Sequence, residues 1–198
     1  MNKAAAISAS IVLMLLTLSS GCTVTRTVHV DYQPRNIREL STLATKAFYV
    51  SVVDERPTAE RASIGHGGKV VYALEGQATT VIGRLLGEAL TAHSHRIVPN
   101  ITEADVVVEI RLRRLWREAK ETSGAKLEDA VFVQFEALVS NPQHPSGNAA
   151  IPVSVVSQRG SWLVGAPNVS RITEQALNDA IQQLLIDQRF LQVCEKSR

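Results

Sequence analysis

The sequence predicts an α+β fold, a two-layer sandwich in which two main helices pack on one face of a mostly antiparallel sheet. Two long segments carry apolar residues at three- and four-residue spacing, which is typical of amphipathic helices. Several other segments alternate between apolar and polar residues, as half-buried strands do. Each helix has a single apolar face, so both helices are expected to cover the same side of the sheet.

The first half of the chain predicts three strands and one helix. Residues 24–32 alternate, and residues 48–53, FYVSVV, have the aromatic and β-branched composition of a central strand that is buried on both faces. Residues 54–68 contain proline and several glycines and predict a long surface loop. A strand is expected at 69–74, and an apolar stripe over 78–93 predicts the first main helix.

The second half predicts a long antiparallel hairpin, a further strand and the second main helix. Residues 104–119 alternate strictly, and residues 129–140 alternate in the same way across a predicted loop. Another strand is expected at 151–165. The spacing of apolar residues predicts a helix over 171–189, with Ser170 as its N-terminal cap.

The first 22 residues have the pattern of a secretion signal that ends at a cysteine. Lys3 and the amino terminus are positive, residues 4–18 carry no charge, and small residues precede Cys22. The uncharged run is shorter than the roughly 18–20 residues that cross a bilayer, which argues against a permanent membrane helix. The alternative is an ordinary signal peptide followed by an incidental cysteine.

The junction between Gly21 and Cys22 resembles the bacterial lipobox. The resemblance implies cleavage before Cys22, a diacylglycerol on its sulfur, and an acyl chain such as palmitate on its new amino group. Two or more such chains anchor a protein stably to a membrane. Thr23 stands where an aspartate commonly signals retention in the inner membrane. The resemblance therefore implies an outer-membrane lipoprotein that faces the periplasm of a Gram-negative bacterium.

These features divide the chain into three parts. Residues 1–21 are predicted to be a cleaved lipoprotein signal peptide, and residues 22–36 a lipidated N-terminus with a short tether or first strand. Residues 37–198 are predicted to form a single α+β domain, since this length supports one substantial core. A tether this short would hold the domain within tens of ångströms of the membrane.

Composition argues against some classes of function. The chain has 21 basic and 19 acidic residues, a net charge of +2, and only 5% aromatic residues, which disfavours nucleic-acid binding. If Cys22 is acylated, Cys194 has no partner for an internal disulfide. We expect Cys194 to be a small, partly buried side chain near a helix end; pairing between molecules is the alternative.

The order of these parts resembles the YajG family of uncharacterised bacterial lipoproteins. The similarity extends over nearly the whole chain after the signal peptide, and it implies an outer-membrane lipoprotein without known enzymatic activity. The segments that carry it, besides the lipobox, are VSVVDERP at 50–57, IGHGG at 64–68, VIGRLLGEALTAHSHRIVP at 81–99, EADVVVEIRLRRL at 103–115 and ALNDAIQQLLIDQRF at 176–190.

Asp54 and Arg56, at the end of a predicted strand, are the first candidates for contact with a ligand or partner. One interpretation is a surface that binds an anion or a partner protein. The other is local pairing, in which Asp54 accepts hydrogen bonds from turn amides and Arg56 pairs within the loop.

The run RLRRLWR is the second candidate. Strict alternation predicts that Arg111, Arg113 and Arg117 share one strand face and that Arg114 and Trp116 lie on the opposite face. Such a face could bind phosphates or carboxylates of lipid head groups, lipopolysaccharide or peptidoglycan. The alternative is a solvated face whose arginines pair with nearby glutamates.

No catalytic, metal or cofactor site is predicted. The histidines at 93 and 95, near the end of a predicted helix, are expected to be solvated, because nothing in the sequence supplies further ligands for a metal. No arrangement of nucleophile and base can be argued from the sequence.

Three functions are consistent with the sequence. The first is a non-catalytic envelope lipoprotein that acts through contacts with envelope proteins, lipids or glycans and is held to the membrane by its lipid. The second is an auxiliary lipoprotein of a lipid-transport system, which predicts an apolar groove. The third is an envelope enzyme, which would require a deep pocket with perturbed titratable groups.

Overall fold

The computed structural model describes residues 23–67, 69–123, 126–143, 147–161 and 166–197, and it confirms the predicted α+β class. Five helices and two sheets are present in these ranges. The helices are α1 (Arg38–Ser41), α2 (Thr58–Arg61), α3 (Ala78–Ala92), α4 (Ala166–Leu185) and α5 (Gln188–Lys196). The strands are β1 (Val24–Val28), β2 (Ala47–Asp54), β3 (Gly65–Gly67), β4 (Val70–Leu74), β5 (Arg96–Ile97), β6 (Val106–Ser123), β7 (Lys126–Ser140) and β8 (Ala149–Ser161).

The large sheet has the strand order β5-β2-β6-β7-β8. Strand β7 runs antiparallel to both β6 and β8, and these long pairings make up most of the sheet. Strand β2 runs parallel to β5 and to β6. The sheet is therefore mostly antiparallel, as predicted, with one parallel margin.

The helices α3 and α4 cover one face of this sheet. The apolar residues that alternate along β6 and β7 point toward these helices and are buried, as the sequence predicted. Buried residues on the strands are Val106, Val108, Ile110, Leu112, Val131, Val133, Phe135, Ala137 and Val139. Those on the two helices include Val81, Ile82, Leu85, Leu86, Leu90, Ile172, Leu177, Ile181, Leu184 and Leu185.

Strand β2 is buried mainly on one face, whereas the sequence predicted burial on both. Phe48 is fully buried under the helices, but Val53 is 46% exposed on the other side. The sequence showed that β2 is apolar, but it did not show that the described part of the chain leaves the outer face of the sheet largely uncovered. Near β5, Val98 and Ala104 pack against the outer side chains of Tyr49 and Val107.

The segment predicted as a surface loop at 54–68 contains helix α2 and strand β3. Strand β3 joins a small second sheet with the order β1-β4-β3, in which β1 is parallel and β3 antiparallel to β4. The amide of Arg117 in β6 donates to the carbonyl of Ile64 at 2.5 Å. This bond joins the small sheet to the free edge of β6, the part beyond Leu112 that is not paired with β2.

The C-terminal region forms two helices and not one. Helix α4 begins at Ala166, so Ser170 lies within it and does not cap it. The chain turns at Asp187, whose side chain accepts a hydrogen bond from the amide of Arg189 at 2.8 Å and caps α5. Phe190 in α5 then stacks on Phe48, with 6.2 Å between ring centroids.

The first described residues already belong to the fold. Strand β1 starts at Val24, and Val28 and Val30 are both part of the main core. The segment predicted as tether or first strand thus contributes a strand and core residues. Residues 1–22, including Cys22, lie outside the described part of the chain, so cleavage and acylation stay predictions.

Candidate functional site

Asp54 and Arg56 form a buried pair that stabilises the turn after β2. The Arg56 side chain is only 1% exposed, and its guanidinium donates to both carboxylate oxygens of Asp54 at 2.9 and 2.8 Å. It also donates to the backbone carbonyl of Glu60 at 3.1 Å. This geometry agrees with the local interpretation and leaves the Arg56 guanidinium out of reach of a surface ligand.

The pKa of Asp54 reflects this pairing. Partial burial of the carboxyl works to raise its pKa, but hydrogen bonds from the side chain and amide of Arg56 outweigh burial. The pKa of Asp54 is therefore below its ordinary value, and the carboxylate stays ionised at neutral pH.

A β-bulge at Arg113 reverses the predicted face of the residues that follow it. Leu112 pairs with Phe135 and Arg114 pairs with the adjacent Gln134, so Arg113 is one residue in excess on β6. Beyond the bulge, odd-numbered residues point toward the helices. The prediction that Arg117 shares a face with Arg111 and Arg113 is therefore wrong.

Arg117 is instead buried on the inner face, where it links the two sheets. Its side chain is 1% exposed and forms an ion pair with Asp129 of β7, which is itself 5% exposed. It donates to the carbonyl of His66 in β3 at 2.9 Å and lies over the ring of Tyr72 in β4, 4.7 Å from the centroid. These contacts assign Arg117 to the interior of the fold.

Arg111 and Arg113 lie on the outer face, where they form a network with glutamates. Arg111 Nε donates to Glu109 at 2.7 Å, which raises the pKa of the Arg111 guanidinium. Arg113 donates to Glu136 at 2.8 Å, and both arginines lie within 4 Å of Glu55. Two positive charges therefore face three negative ones, so this region is not an open cationic surface.

Trp116 also lies on the outer face, in a row of aromatic and apolar side chains across three strands. It pairs with Phe132 on β7, which pairs with Val156 on β8. The ring of His66 in β3 packs edge-on against Trp116, with 5.8 Å between centroids. Arg114 stacks over Phe132 at 4.5 Å and forms an ion pair with Glu118.

Three members of this row, His66, Phe132 and Val156, were not predicted from the sequence. The alternation along β7 already placed the Phe132 side chain opposite the apolar residues that face the core, so an outward aromatic residue was foreseeable. The approach of His66 was not, since it depends on how β3 packs against the free edge of β6.

The histidines near the end of α3 are buried, whereas the sequence predicted solvated side chains. His93 Nε2 accepts from the amide of Ile37 at 3.0 Å, and its Nδ1 lies 2.8 Å from the carbonyl of Ala89. His95 Nδ1 accepts from the amide of Lys46 at 3.3 Å, and burial lowers the pKa of His95. Both rings therefore serve the fold by accepting backbone hydrogen bonds.

Cys194 is fully buried, and burial raises the pKa of its thiol to about 12. The thiolate is the reactive form of cysteine, and it is scarce at neutral pH with this pKa. The expectation of a small side chain near a helix end fits, although Cys194 is more completely buried than predicted. The geometry disfavours pairing between molecules.

A shallow groove crosses the outer face where β6, β7 and β8 meet near Asn148. Its volume is about 480 Å³. Apolar side chains form most of its floor, and a carboxylate and a hydroxyl lie among them. The lining side chains include Val107, Glu109, Leu138, Ser140 and Ala150.

Within the described ranges, no group of three or more histidine, cysteine, aspartate or glutamate side chains is placed to hold a metal ion. No helix in those ranges combines the length and apolar character needed to cross a membrane.

No family model and no curated protein matches the sequence significantly. Solved structures are similar to it in fold. Protein XCC0632 from Xanthomonas campestris, assigned to the family DUF330, has a TM-score of 0.56 and 14% identity, covering 82% of this chain and 92% of its own. At this identity, the similarity establishes a shared fold and nothing more.

Two bacterial lipoproteins have weaker structural similarity. A minor lipoprotein from Acinetobacter baumannii has a TM-score of 0.42 and 13% identity, over 77% of this chain and 92% of its own. Lipoprotein B from Nitrosomonas europaea also has a TM-score of 0.42, with 15% identity over 77% of this chain and 88% of its own. None of these three is described as a YajG protein, so that resemblance stays a prediction.

Proposed function

We propose that this protein is a non-catalytic lipoprotein of the outer membrane, faces the periplasm and acts by binding a partner in the cell envelope. The leader sequence supports the anchor: it ends at Cys22 with a positive start, a short uncharged run and small residues before the cysteine. Strand β1 begins two residues later, which supports a domain held close to the proposed anchor.

The observation that carries the binding role is the outer face of the large sheet, which the described part of the chain leaves largely uncovered. Side chains there include half-buried aromatic residues and arginines, two classes of residue that are enriched at protein interfaces. The buried charged and titratable groups are instead used by the fold, as Arg56, Arg117, His93 and His95 show. The part of the outer face around Arg111, Arg113 and their glutamates is therefore the surface we assign to a partner.

The anchor is tested by the substitution Cys22→Ala in a Gram-negative host. We expect the natural protein to incorporate radiolabelled palmitate and to fractionate with the outer membrane, and the variant to incorporate none. Cys194→Ala is the matched control, since Cys194 is buried and should leave labelling unchanged. Equal labelling of the natural protein and the Cys22 variant would contradict the proposal.

The partner role is tested by photo-crosslinking in intact cells. A photoreactive amino acid at Arg113, whose side chain is 57% exposed on the outer face, should capture a reproducible partner. The same amino acid at Glu88, 42% exposed on α3, is the control on the helical side. Capture from Glu88 alone, or from neither position, would count against an outer-face interface.

The groove near Leu138 supports a second candidate, an auxiliary lipoprotein of a lipid-transport system. The apolar side chains that line the groove suit an acyl chain, and Glu109 and Ser140 would lie beside that chain. We expect phospholipid to copurify with the chain when it is secreted behind an ordinary cleavable signal and starts at Thr23, without its own lipid. Native mass spectrometry should detect this lipid, and Leu138→Glu should remove it. A lipid-free natural chain would exclude this candidate.

A further inference from the structure

One line of outward side chains connects the N-terminal strand to the far edge of the large sheet. In the small sheet, Thr25 pairs with Val71, and Val71 pairs with His66. Residues that pair directly point to the same face. The line continues from His66 to Trp116 through ring contact, then to Phe132 and Val156 through strand pairing. We call the members from Val71 to Val156 the aromatic row.

The aromatic row begins beside the predicted anchor. Adjacent strands lie about 4.8 Å apart, so Thr25 in β1 is roughly 10 Å from His66 in β3. Cys22 precedes Val24 by two residues, which span at most about 7 Å. A lipid on Cys22 is therefore within tens of ångströms of Trp116.

The link between anchor and domain leaves little freedom. Only Thr23 separates Cys22 from strand β1, which is fixed to β4 over its whole length. A domain joined to its lipid by one residue cannot move far from the bilayer, so part of its surface must lie at the headgroup level. The aromatic row starts at this point, and His66 and Val156 on it are exposed to solvent.

The charges beside the row are balanced. Arg114 pairs with Glu118, Arg113 with Glu136, and Arg111 with Glu109. These arginines therefore give the face no net positive charge with which to attract anionic lipid. Any attraction of this face to a bilayer has to come from its apolar and aromatic atoms.

We propose that the aromatic row rests on the bilayer that holds the protein's own lipid, with Trp116, Phe132 and Val156 at the boundary between head groups and acyl chains. This inference depends on the anchor proposed above. Aromatic residues favour this boundary because an apolar ring body enters the acyl region while polar edges stay hydrated. The contact is apolar, so it does not require anionic lipid.

The test uses the mature acylated protein, which starts at Cys22, in phosphatidylcholine vesicles whose lipids carry bromine, a fluorescence quencher, high on the acyl chains. In a Trp116→Phe background, tryptophan is introduced by Val156→Trp or by Ile186→Trp. Val156 and Ile186 are matched in exposure, at 49% and 47%, but Ile186 lies between α4 and α5. Trp162 is common to both proteins, so their difference reports the new tryptophan.

We expect the Val156→Trp protein to lose emission in brominated vesicles and the Ile186→Trp protein to lose none beyond the shared background. The Trp116→Phe background itself should be quenched less than the natural protein, which provides a second measurement if a new tryptophan perturbs folding. Quenching should persist in high salt and without anionic lipid. Quenching that required low salt or anionic lipid would contradict an apolar contact.

Two failures can be told apart by measuring acylation first. If mass spectrometry shows diacylglycerol on Cys22 and the protein floats with vesicles, equal quenching at positions 156 and 186 overturns this inference and leaves the anchor intact. If Cys22 carries no lipid, the proposed function fails and this inference fails with it. Emission that is blue-shifted at position 156 without vesicles would indicate that a second copy covers the row, and would also overturn it.

Discussion

At the scale of single residues, Arg117 shows how a charged side chain can belong to the core. Its guanidinium meets the carboxylate of Asp129, the carbonyl of His66 and the ring of Tyr72, so three other strands depend on it. Removing two charges from water costs several kcal/mol for each ion, and the pair is stable only because each charge has a close partner. Loss of one partner therefore leaves the other as an unpaired buried charge.

This pairing predicts that Arg117→Leu lowers the free energy of unfolding by about 3–5 kcal/mol. Asp129 would keep its burial and lose its partner. Urea unfolding of the chain from Thr23, produced without lipid, measures the change. Arg113→Leu is the control, because the Arg113 side chain is 57% exposed and its ion pairs are worth about 1 kcal/mol or less.

The double variant Arg117→Leu with Asp129→Leu separates charge from shape. It should recover much of the stability lost in Arg117→Leu, because no unpaired charge remains. An Arg117→Leu protein as stable as the Arg113→Leu protein would show that the buried pair does not hold the sheets together.

Gly65 predicts a second residue-scale effect at the same junction. Its φ angle is +144°, and an added Cβ would lie 2.8 Å from the carbonyl oxygen of Arg117. Gly65→Ala should therefore lower the free energy of unfolding by more than about 1 kcal/mol. Gly83→Ala in α3 is the contrasting variant: its Cβ meets only Val52 at 3.6 Å, so a gain of about 0.5–1 kcal/mol is expected. Equal effects in thermal unfolding would contradict the close approach.

At the scale of elements, the bulge in β6 explains why the predicted arginine face was wrong. Apolar residues recur at every second position up to Leu112, but the next one, Leu115, comes three residues later. Strand β7 keeps its alternation from Val131 to Val139 without interruption. The sequence therefore contained the signal of one excess residue in β6, and reading the two strands together would have placed Arg117 inside.

The bulge predicts that deletion of Arg113 is tolerated. Without Arg113, Leu112 and Leu115 return to regular alternation, and both still point toward the helices. Deletion of Glu109, in the regular part of β6, should instead turn part of the strand over and abolish cooperative unfolding. Circular dichroism during thermal unfolding checks this. Loss of the transition in both variants would argue against a dispensable bulge residue.

Other differences between prediction and structure have tertiary causes. The periodic stripe over 171–189 correctly predicted a helical region, but the break at Asp187 is set by Phe190, which packs onto Phe48. Strand β3 is too short to be recognised from periodicity, and it forms only because β4 and β6 lie on either side of it. The long periodic elements were predictable because the pattern of apolar residues within each one specifies which of its faces is buried.

At the scale of the whole molecule, the sequence predicted that helices cover one side of the sheet but not that the described part of the chain leaves the other side largely open. Half-exposed apolar residues such as Val53 and Val156 lie there beside paired charges. These residues come from different strands, so the mixed apolar and charged surface exists only once the sheet has formed. The outward positions of Arg111 and Arg113 were predictable by alternation. The aromatic row was not, since it depends on contact between residues 66 and 116, which belong to different sheets.

The buried histidines lead to a prediction for the whole molecule, because His95 accepts a hydrogen bond from the amide of Lys46 and packs against the ring of Phe48. Lys46 and His93 are the charged or titratable groups whose electrostatic effects on His95 accompany its burial, and both disfavour a second positive charge. The pKa of His95 is therefore lower in the folded than in the unfolded protein. Below about pH 6.5 the unfolded chain binds more protons at this site, so acidification lowers the free energy of unfolding.

His29 has the opposite effect on how the free energy of unfolding depends on pH. Its ring is exposed, and hydrogen bonding to Glu75 with the nearby charge of Asp31 raises its pKa. Its stabilising contribution is complete below the ordinary histidine pKa and is lost as pH rises through the folded value. Asp54 adds no pH dependence between pH 5.5 and 7.5, because the stability from its lowered pKa is fully present above about pH 3.8 and is lost only below that value.

Urea unfolding of the chain from Thr23 at pH 7.5 and pH 5.5 should resolve these contributions. The His95→Gln protein should lose less stability on acidification than the natural protein, because the buried ionisable ring is gone. His29→Gln should lose more, because a group that gains stability in acid has been removed. If His95→Gln kept the full loss between the two pH values, the acid sensitivity would have to arise elsewhere, and the buried state of His95 would no longer explain it.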